Sequence, residues 1–498
     1  MRDRGLGSWP RRRARKTPHK TAVVDAHGRF SYAALDERVN RLAHALRGLG
    51  VRRGDRVAYL GPNHHAFLEA LFASGMLGAV FVPLNARLAA PELEYCLEDS
   101  GSTVLVHGPT PFTAPPAVRH SIAVGSGAPR SLDYGALLDG AAATPIDEPV
   151  ALEDAAVIMY TSGTTGRPKG ALLTHGNLTW NAVNVLVDID LASDETTLCI
   201  APLFHAAGLN MACLPTLLKG GTVVLEAAFD PELALRRIES HRVTYVFGVP
   251  VMFAAIARSG AWAAADLSSL RRAVCGGAPV PRPLIDAYLA RGVAFSQGYG
   301  MTEASPGVLL LAGEDCARKA GTAGVPHFFT DVRLDGAEGR DAEAGRLGEV
   351  AVSGPNVMRE YWRRPGETAL AVEDGWLRTG DIAAVDDEGY LSIVDRVKDV
   401  FISGGENVYP AEVERALGEH PGVAECAVIG VPDRTWGEVG RAVVVPVSAA
   451  HADGAALLRF LRGRLAGYKV PKSVVFVGEL PRSPGGKVLR RALREAHR

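Results

Sequence analysis

Cysteine pairs are missing from this sequence. The six cysteines, at 96, 199, 213, 275, 316 and 426, form no CxxC pair, which argues against a zinc ribbon or a disulfide scaffold. They read as reduced thiols of a cytoplasmic protein, most of them core fillers. An excess of either charge is missing too: 54 Lys and Arg stand against 55 Asp and Glu, a net charge of -1. A dedicated nucleic-acid binder needs a basic surplus for its phosphate contacts, so no nucleic-acid partner is expected. There is no long apolar run. The longest uncharged stretch, 196–218, holds Pro202, His205, Asn210 and Pro215, and reads as buried strand, turn and helix with no transmembrane segment. The first residues, MRDRGLGSWPRRRARK, lack the apolar stretch of a signal peptide. Lysine is scarce, nine against 45 arginines, so each one draws notice. Lys169, Lys398 and Lys487 lie beside glycines or in charged turns, where a compact ammonium is not interchangeable with a guanidinium.

What is present is ordinary globular material, 47% hydrophobic and 22% charged, in 498 residues. At roughly 150 residues per domain that allows two to four domains. Residues 1–20 carry eight Arg and Lys against one Asp. They read either as a solvated first helix with Leu6 and Trp9 packed inward, or as a peripheral contact with an anionic membrane or a partner.

Helical and strand patterns alternate through the first 390 residues, which implies sheets covered by helices. Residues 31–50 place Leu35, Val39, Leu42, Ala45 and Leu46 on one helical face. Strands are expected at 56–60, 79–83, 102–106 and 155–160, with a helix at 65–76. The Pro-, Ala- and Ser-rich residues 109–149 read as a variable surface crossing. After about residue 340 the strands shorten, and Asp395-Arg-Val-Lys-Asp399 packs four charges into five positions. Beyond it a small α+β unit is expected: helix 411–418, strands 423–430 and 441–447, helix 454–465, strand 473–477. The boundary is placed at Asp395, giving domains 1–394 and 395–498. A hinge and an exposed turn look alike there.

One loop carries chemistry. Tyr160-Thr-Ser-Gly-Thr-Thr-Gly-Arg-Pro-Lys169-Gly170 follows an apolar strand and holds three glycines and four Ser/Thr hydroxyls. Its backbone N–H groups and hydroxyls can surround phosphate oxygens, and Lys169 adds a point charge. It is not a GxxxxGK[ST] loop. A Ser/Thr/Gly-rich surface turn is the plain alternative.

This loop resembles the signature of the adenylate-forming superfamily: acyl-CoA synthetases, luciferases and peptide-synthetase adenylation domains. Further motifs follow in the family's order: Pro202-Leu-Phe-His-Ala-Ala-Gly208, Gly276-Gly-Ala278, Gln297-Gly-Tyr-Gly-Met-Thr-Glu303, Gly375-Trp-Leu-Arg-Thr-Gly-Asp381, Asp395-Arg-Val-Lys-Asp399, Ser403-Gly-Gly-Glu-Asn-Val-Tyr-Pro410 and Pro481-Arg-Ser-Pro-Gly-Gly-Lys487. The texture is most similar to bacterial fatty-acyl-CoA and coumarate-CoA ligases. The resemblance implies an α/β fold: a large N-terminal domain of helix-covered β-sheets with a β-barrel-like subdomain, then a small mobile α+β C-terminal domain. It implies ATP, Mg²⁺ and coenzyme A, with an acyl-adenylate formed first and a thiol then displacing AMP.

By that resemblance Thr161, Ser162, Gly163, Thr164, Thr165, Gly166 and Lys169 hold the β- and γ-phosphates, Thr302 touches the α-phosphate and Glu303 ligates Mg²⁺. One or two carboxylates with phosphates suit that ion. Gly276, Gly277, Ala278, Gln297, Gly298, Tyr299, Gly300 and Met301 flank the adenine and AMP. Asp381 accepts the ribose hydroxyls, and Ile393 and Arg396 lie near the ribose or phosphate. Lys487 bridges the attacking carboxylate and the α-phosphate. Asp395 matches the hinge. Lys398, Ser403, Gly404, Gly405 and Glu406 face the thiol after domain rotation, and Trp436 either borders that path or is a packed core residue. Pro-Gly-Gly-Lys replaces the Pro-Thr-Gly-Lys of many relatives, which changes loop flexibility more than chemistry.

The acyl pocket is expected around His205, Ala206, Asn210, Phe247, Gly277, Gly300 and Pro306. His205 stands where amino-acid-activating relatives carry Asp, and Glu303 is the one charge in 296–312. An apolar carboxylic acid (fatty, aryl or bulky) is therefore expected. His205 reads as a gate, a carboxylate contact, or a buried histidine with a backbone partner. The acceptor is free CoA or, alternatively, a carrier-protein phosphopantetheine or an amine. A non-catalytic acyl-adenylate sensor is disfavoured because Lys169, Glu303, Asp381 and Lys487 are all present.

Overall fold

The computed structural model describes residues 2–109, 112, 114–125, 129–161, 168–336, 347–396, 399–403, 406–434, 436–465, 467–482 and 486–497. Two compact units emerge: Met1–Val332 with Val352–Leu377, and Arg333–Ala351 with Arg378–Arg498. Among the described residues no helix is long and apolar enough to cross a membrane, and the six cysteines are free.

The first unit contains two large sheets. The nine-stranded one runs Val325–Pro326, Gly307–Leu311, Ala294–Gly300, Arg272–Gly276, Tyr245–Gly248, Thr196–Cys199, Thr222–Leu225, Thr21–Asp25, Gly28–Ser31. Its interior strands from 294–300 through 21–25 are parallel. Short apolar runs such as Tyr245–Gly248, buried throughout, suit a sheet covered on both faces. The eight-stranded sheet runs Glu360–Tyr361, Lys169–Thr174, Ala155–Thr161, Val80–Leu84, Arg56–Leu60, Val104–His107, His120–Ala123, Leu132–Asp133. Leu60, Val82, Leu84, Leu105, Ile158 and Leu172 of that sheet pack with Leu93 and Leu97 of the helix Ala90–Ser100. Each such buried side chain contributes about 1.5–3 kcal/mol.

Residues 109–149 are more than a crossing. They supply the last two strands of the second sheet, His120–Ala123 and the edge strand Leu132–Asp133, and the helix Tyr134–Asp139. At the N-terminus Leu6 and Trp9 are buried, and Arg13 donates to the Leu218 carbonyl at 2.7 Å. This matches the inward-packed first helix, Trp9–Lys16.

The second unit holds most of a five-stranded sheet ordered Asp331–Asp335, Leu347–Ser353, Trp376–Val385, Val372–Glu373, with Leu391–Arg396 also paired to Trp376–Val385. It thus begins upstream of Asp395, because the strand carrying Asp395 hydrogen-bonds back along 381–385. A further sheet joins Val423–Asp433, Gly437–Pro446, Phe401–Ser403, Glu406–Val408 and Ser473–Phe476. Strand alternation divides its side chains. Val428, Ala442 and Val444 face the helices Pro410–Gly418 and Gly454–Arg462. Ala427, Ile429, Val431 and Val443 pack with Leu480 and with Leu493 of the helix Arg490–Ala496.

Candidate active site

The phosphate-loop motif sits on a hairpin. Ala155–Thr161 and Lys169–Thr174 pair antiparallel with Thr161 opposite Lys169, so both ends of the loop are fixed side by side. Ser162, Gly163, Thr164, Thr165 and Gly166 lie outside the described residues. Gly170 is required by packing, since a Cβ there would come 2.5 Å from Ile158 Cγ2. Below the loop, Tyr160 donates to Asp99 Oδ2 at 2.8 Å.

A third strand, Glu360–Tyr361, pairs beside Ala171 and Leu172. It delivers the Tyr361 hydroxyl to Glu303 Oε1 at 2.9 Å. The Lys169 ammonium lies 5.3 Å from the Tyr361 ring centroid and pairs with Glu367. The backbone N–H of Met358 also donates to the Glu303 carbonyl at 2.7 Å. Burial, and then the adjacent Glu303 carboxylate, push the Tyr361 pKa well above that of an ordinary phenol, so the hydroxyl stays a donor. Lys169 and Glu303, distant in sequence, are therefore brought together around Tyr361. Tyr361 and Glu367 escaped sequence reasoning. They belong to Glu360-Tyr-Trp-Arg-Arg-Pro-Gly-Glu367, a charged run with the look of a surface turn.

The segments expected to hold adenine and the acyl group lie at the carboxyl ends of neighbouring parallel strands, where open α/β sheets bind ligands. Gly276 lies opposite Gly298, and Phe247 opposite Val274. Gly277 adopts φ 84°, a left-handed conformation natural to glycine. A Cβ on Gly276 would meet the Gly298 carbonyl at 3.1 Å, and one on Gly300 would meet the Pro306 carbonyl at 1.8 Å. Gln297 is buried; Gly298, Tyr299, Gly300, Met301 and Thr302 are half-buried; Gly277 and Ala278 are exposed. Ala206, Asn210 and Phe247 are buried. His205 is exposed, with its ring 4.6 Å from that of Phe204, so the buried-histidine alternative falls. Asn63 braces the segment before it, donating to the Ala201 carbonyl at 3.0 Å and accepting from Leu203 N–H at 2.8 Å.

The turn carrying Thr302 and Glu303 is held by asparagines. Asn210 donates to the Ser305 carbonyl at 3.1 Å, and Asn181 accepts from Gly307 N–H at 3.0 Å. Asn356 donates to the carbonyls of Ala304 at 2.9 Å and Gly307 at 2.8 Å. Between them Ser305 takes φ 68°, which costs a non-glycine residue about 1–2 kcal/mol. Asn356→Ala leaves two buried carbonyls unpaired and should destabilise the protein by about 2–4 kcal/mol. A urea midpoint equal to that of the parent would refute this.

Asp25, His64 and His65 also place one ligand atom each within 4.8 Å of one another. Their atoms are already engaged. Asp25 Oδ2 accepts from His65 Nδ1 at 2.6 Å, and His64 Nδ1 accepts from Ala66 N–H at 3.0 Å. The cluster works as a cap on the helix His65–Met76.

In the second unit Asp381 is buried and sits opposite Arg396 in the strand register. Its N–H donates to Thr379 Oγ1 at 3.1 Å. Ile393, on the partner strand, is half-buried. Asp395 is buried, and its Oδ2 accepts from Ala411 N–H at 2.7 Å, tying it to the helix Pro410–Gly418. Ser403 pairs opposite Gly437, next to Trp436. Trp436 is 46% exposed, so it is not the packed core residue of one reading. The strand beginning at Glu406 pairs with Phe401–Ser403. Lys398, Gly404 and Gly405 lie outside the described residues. Lys487 is exposed on a braced turn: Arg482 donates to the Gly486 carbonyl at 2.8 Å, and Leu489 N–H to the Pro481 carbonyl at 2.8 Å.

The chain matches the family model described as AMP-binding enzyme over residues 10–362, and that described as AMP-binding enzyme C-terminal domain over 412–487. It is 59% identical over 494 residues to a feruloyl-CoA synthase of Amycolatopsis sp., covering 99% of each chain. It is 44% identical over 497 residues to an indoleacetate–CoA ligase of Aromatoleum aromaticum, covering 98% of each. Among solved structures, the O-succinylbenzoate coenzyme A synthetase of Bacillus subtilis, in complex with ATP and magnesium ion, is similar with a TM-score of 0.88 at 33% identity. That match covers 98% of this chain and 99% of the other.

Proposed function

The chain belongs to the AMP-binding enzyme family and is an AMP-forming acid–CoA ligase; from that premise we propose that its acid is an aryl carboxylate on a short arm, of the hydroxycinnamate or arylacetate kind. The observation that carries this reading is the glycine pair Gly276–Gly298 at the strand ends. A Cβ added to Gly276 would lie 3.6 Å from the Phe247 ring. A surface of bare backbone beside an aromatic ring suits a flat substituent better than a coiling alkyl chain. The relatives named for feruloyl-CoA and indoleacetate support the same class.

The donor set around Glu303 fits a magnesium ion carried with ATP. The carboxylate is buried, close to the base of a phosphate-binding loop, and is oriented by the Tyr361 hydroxyl. Bound there, the ion would offset phosphate charge during attack by the carboxylate. The remaining work falls to the chain itself. Thr161 and Lys169 grip the outer phosphates, and Thr302 contacts the α-phosphate. The strand-end glycines let adenine and acid lie against the backbone, and Asp381 orients the ribose. Lys487 supplies positive charge where carboxylate and α-phosphate meet. Lys398, Ser403, Gly404, Gly405, Glu406 and Trp436 are assigned to the thiol-transfer step, with Asp395 as the hinge.

The test is a panel of ferulate, indole-3-acetate, octanoate, malonate and glycine, scored by pyrophosphate release and by thioester formation. The best aryl acid should exceed octanoate in kcat/KM by at least about tenfold, a difference of about 1.4 kcal/mol. Malonate and glycine should be poorer still, because the proposed pocket segments hold no charge beyond Glu303. Octanoate ahead of both aryl acids would overturn the assignment.

A further inference from the structure

Lys169 is already engaged by a carboxylate. Its ammonium pairs with Glu367, on the short helix Pro365–Ala371. Glu367 also has a second cation within reach, with Arg364 Nε 4.0 Å from Glu367 Oε1. Arg364 is itself anchored, donating to the Tyr95 hydroxyl at 2.9 Å and to Asp99 Oδ1 at 3.1 Å. Asp99 in turn accepts from Tyr160 at the base of the phosphate loop. The run Lys169, Glu367, Arg364, Asp99 thus alternates in charge, with the carboxylate between an ammonium and an anchored guanidinium.

We propose that Glu367 is an internal counter-ion that holds Lys169 in the absence of ATP, moves to Arg364 when phosphate arrives, and thereby sets the affinity for ATP. The inference rests on the reading of Lys169 as a phosphate-binding residue. A carboxylate on that ammonium opposes a triphosphate in either of two ways. Leaving, it costs the Lys169–Glu367 attraction. Staying, it repels phosphate oxygens bound to the same nitrogen. Arg364 lowers the cost of leaving because it offers a replacement partner without chain movement beyond a rotamer. Glu303, a few ångströms from the same tyrosine, takes no part in this exchange: its carboxylate is fixed by the Tyr361 hydroxyl and is not paired with Lys169.

The exchange makes an unusual demand, a substitution that improves binding. Both partners are partly exposed, 18% for Lys169 and 37% for Glu367 in the side chain, so the effect is modest. The ATP dissociation constant of the full-length protein should be measured by calorimetry at fixed Mg²⁺ and ionic strength. Glu367→Gln should tighten ATP about two- to fivefold, the scale of a partly exposed ion pair. The gain should shrink as salt is raised. Arg364→Gln should do the opposite and weaken ATP, since Glu367 then has only Lys169 to hold. Lys169→Met separates the two levels of argument. If it leaves ATP affinity unchanged, the phosphate-binding reading of Lys169 is wrong. If it weakens ATP while Glu367→Gln leaves affinity unchanged or lower, the counter-ion proposal alone is overturned. A purely structural Glu367 would give a lower melting temperature and no tightening.

Discussion

Glu303→Ala should slow acyl-adenylate formation at least tenfold, about 1.4 kcal/mol of barrier, and the deficit should be largest at limiting Mg²⁺. The carboxylate is 7% exposed, yet among the described residues no cation pairs with it; its neighbour at 2.9 Å is a hydroxyl donor. A buried acid kept beside a phenol costs stability unless it is used, because desolvation penalises the charged form. Removing it should therefore leave folding intact or improved while catalysis falls. Tyr361→Phe keeps the ring under Lys169 but deletes the hydrogen bond to Glu303. It should raise the Mg²⁺ concentration for half-maximal rate while sparing the rate at saturating metal. Pyrophosphate release across a Mg²⁺ titration separates the two variants. Parent-like rates for Glu303→Ala at limiting Mg²⁺ would take Glu303 out of metal binding.

Much of this architecture is legible in the chain because local and tertiary signals agree. The helix at 65–76 and the strand at 56–60 fall where apolar spacing and flanking turns put them. The strand at 79–83 is shifted by one residue, to Val80–Leu84, an end effect of ladder pairing. The strands His120–Ala123 and Leu132–Asp133 are not legible. They are short, lie among Pro, Ser and Gly, and exist through the pairing of 120–123 with 104–107 and of 132–133 with 122–123 rather than through propensity. The candidate motifs stand out by their glycine spacing, and the register Gly276 opposite Gly298 gives that spacing a physical reason. Tyr361 and Glu367 lack any such spacing. Their meaning comes from a strand pairing across 190 positions of sequence, Tyr361 opposite Ala171, which no local pattern encodes. The exposure of Trp436 and His205 is hidden for the same reason: burial is decided by what the rest of the chain leaves uncovered.

The largest expected effect belongs to Lys487, and it should divide the two half-reactions. In adenylation, carboxylate and α-phosphate converge, and a positive charge between them offsets their repulsion. In thioester formation AMP departs, and the proposed rotation at Asp395 has taken Lys487 away. Lys487→Ala should therefore depress adenylation by about 10² or more, the scale of losing a preorganised charge. Thioester formation from supplied acyl-adenylate should fall far less. Lys487→Arg should rescue poorly, since a planar fork does not reproduce a point charge between two oxygens. The structure makes this readable as chemistry. Lys487 is exposed, while its turn is held by Arg482, and the following helix by Arg490 on Glu414 and Arg494 on Asp399. Asp395→Pro should show the opposite pattern, adenylation kept and thiolation lost, because a fixed φ restricts the hinge. That substitution also removes the carboxylate that receives Ala411 N–H, so Asp395→Ala is the necessary companion. It loses the same hydrogen bond but leaves φ free, and should retain more thiolation than the proline variant. Equal losses in both half-reactions for Lys487→Ala, or identical behaviour of the two Asp395 variants, would mean that no rotation about this residue separates the steps.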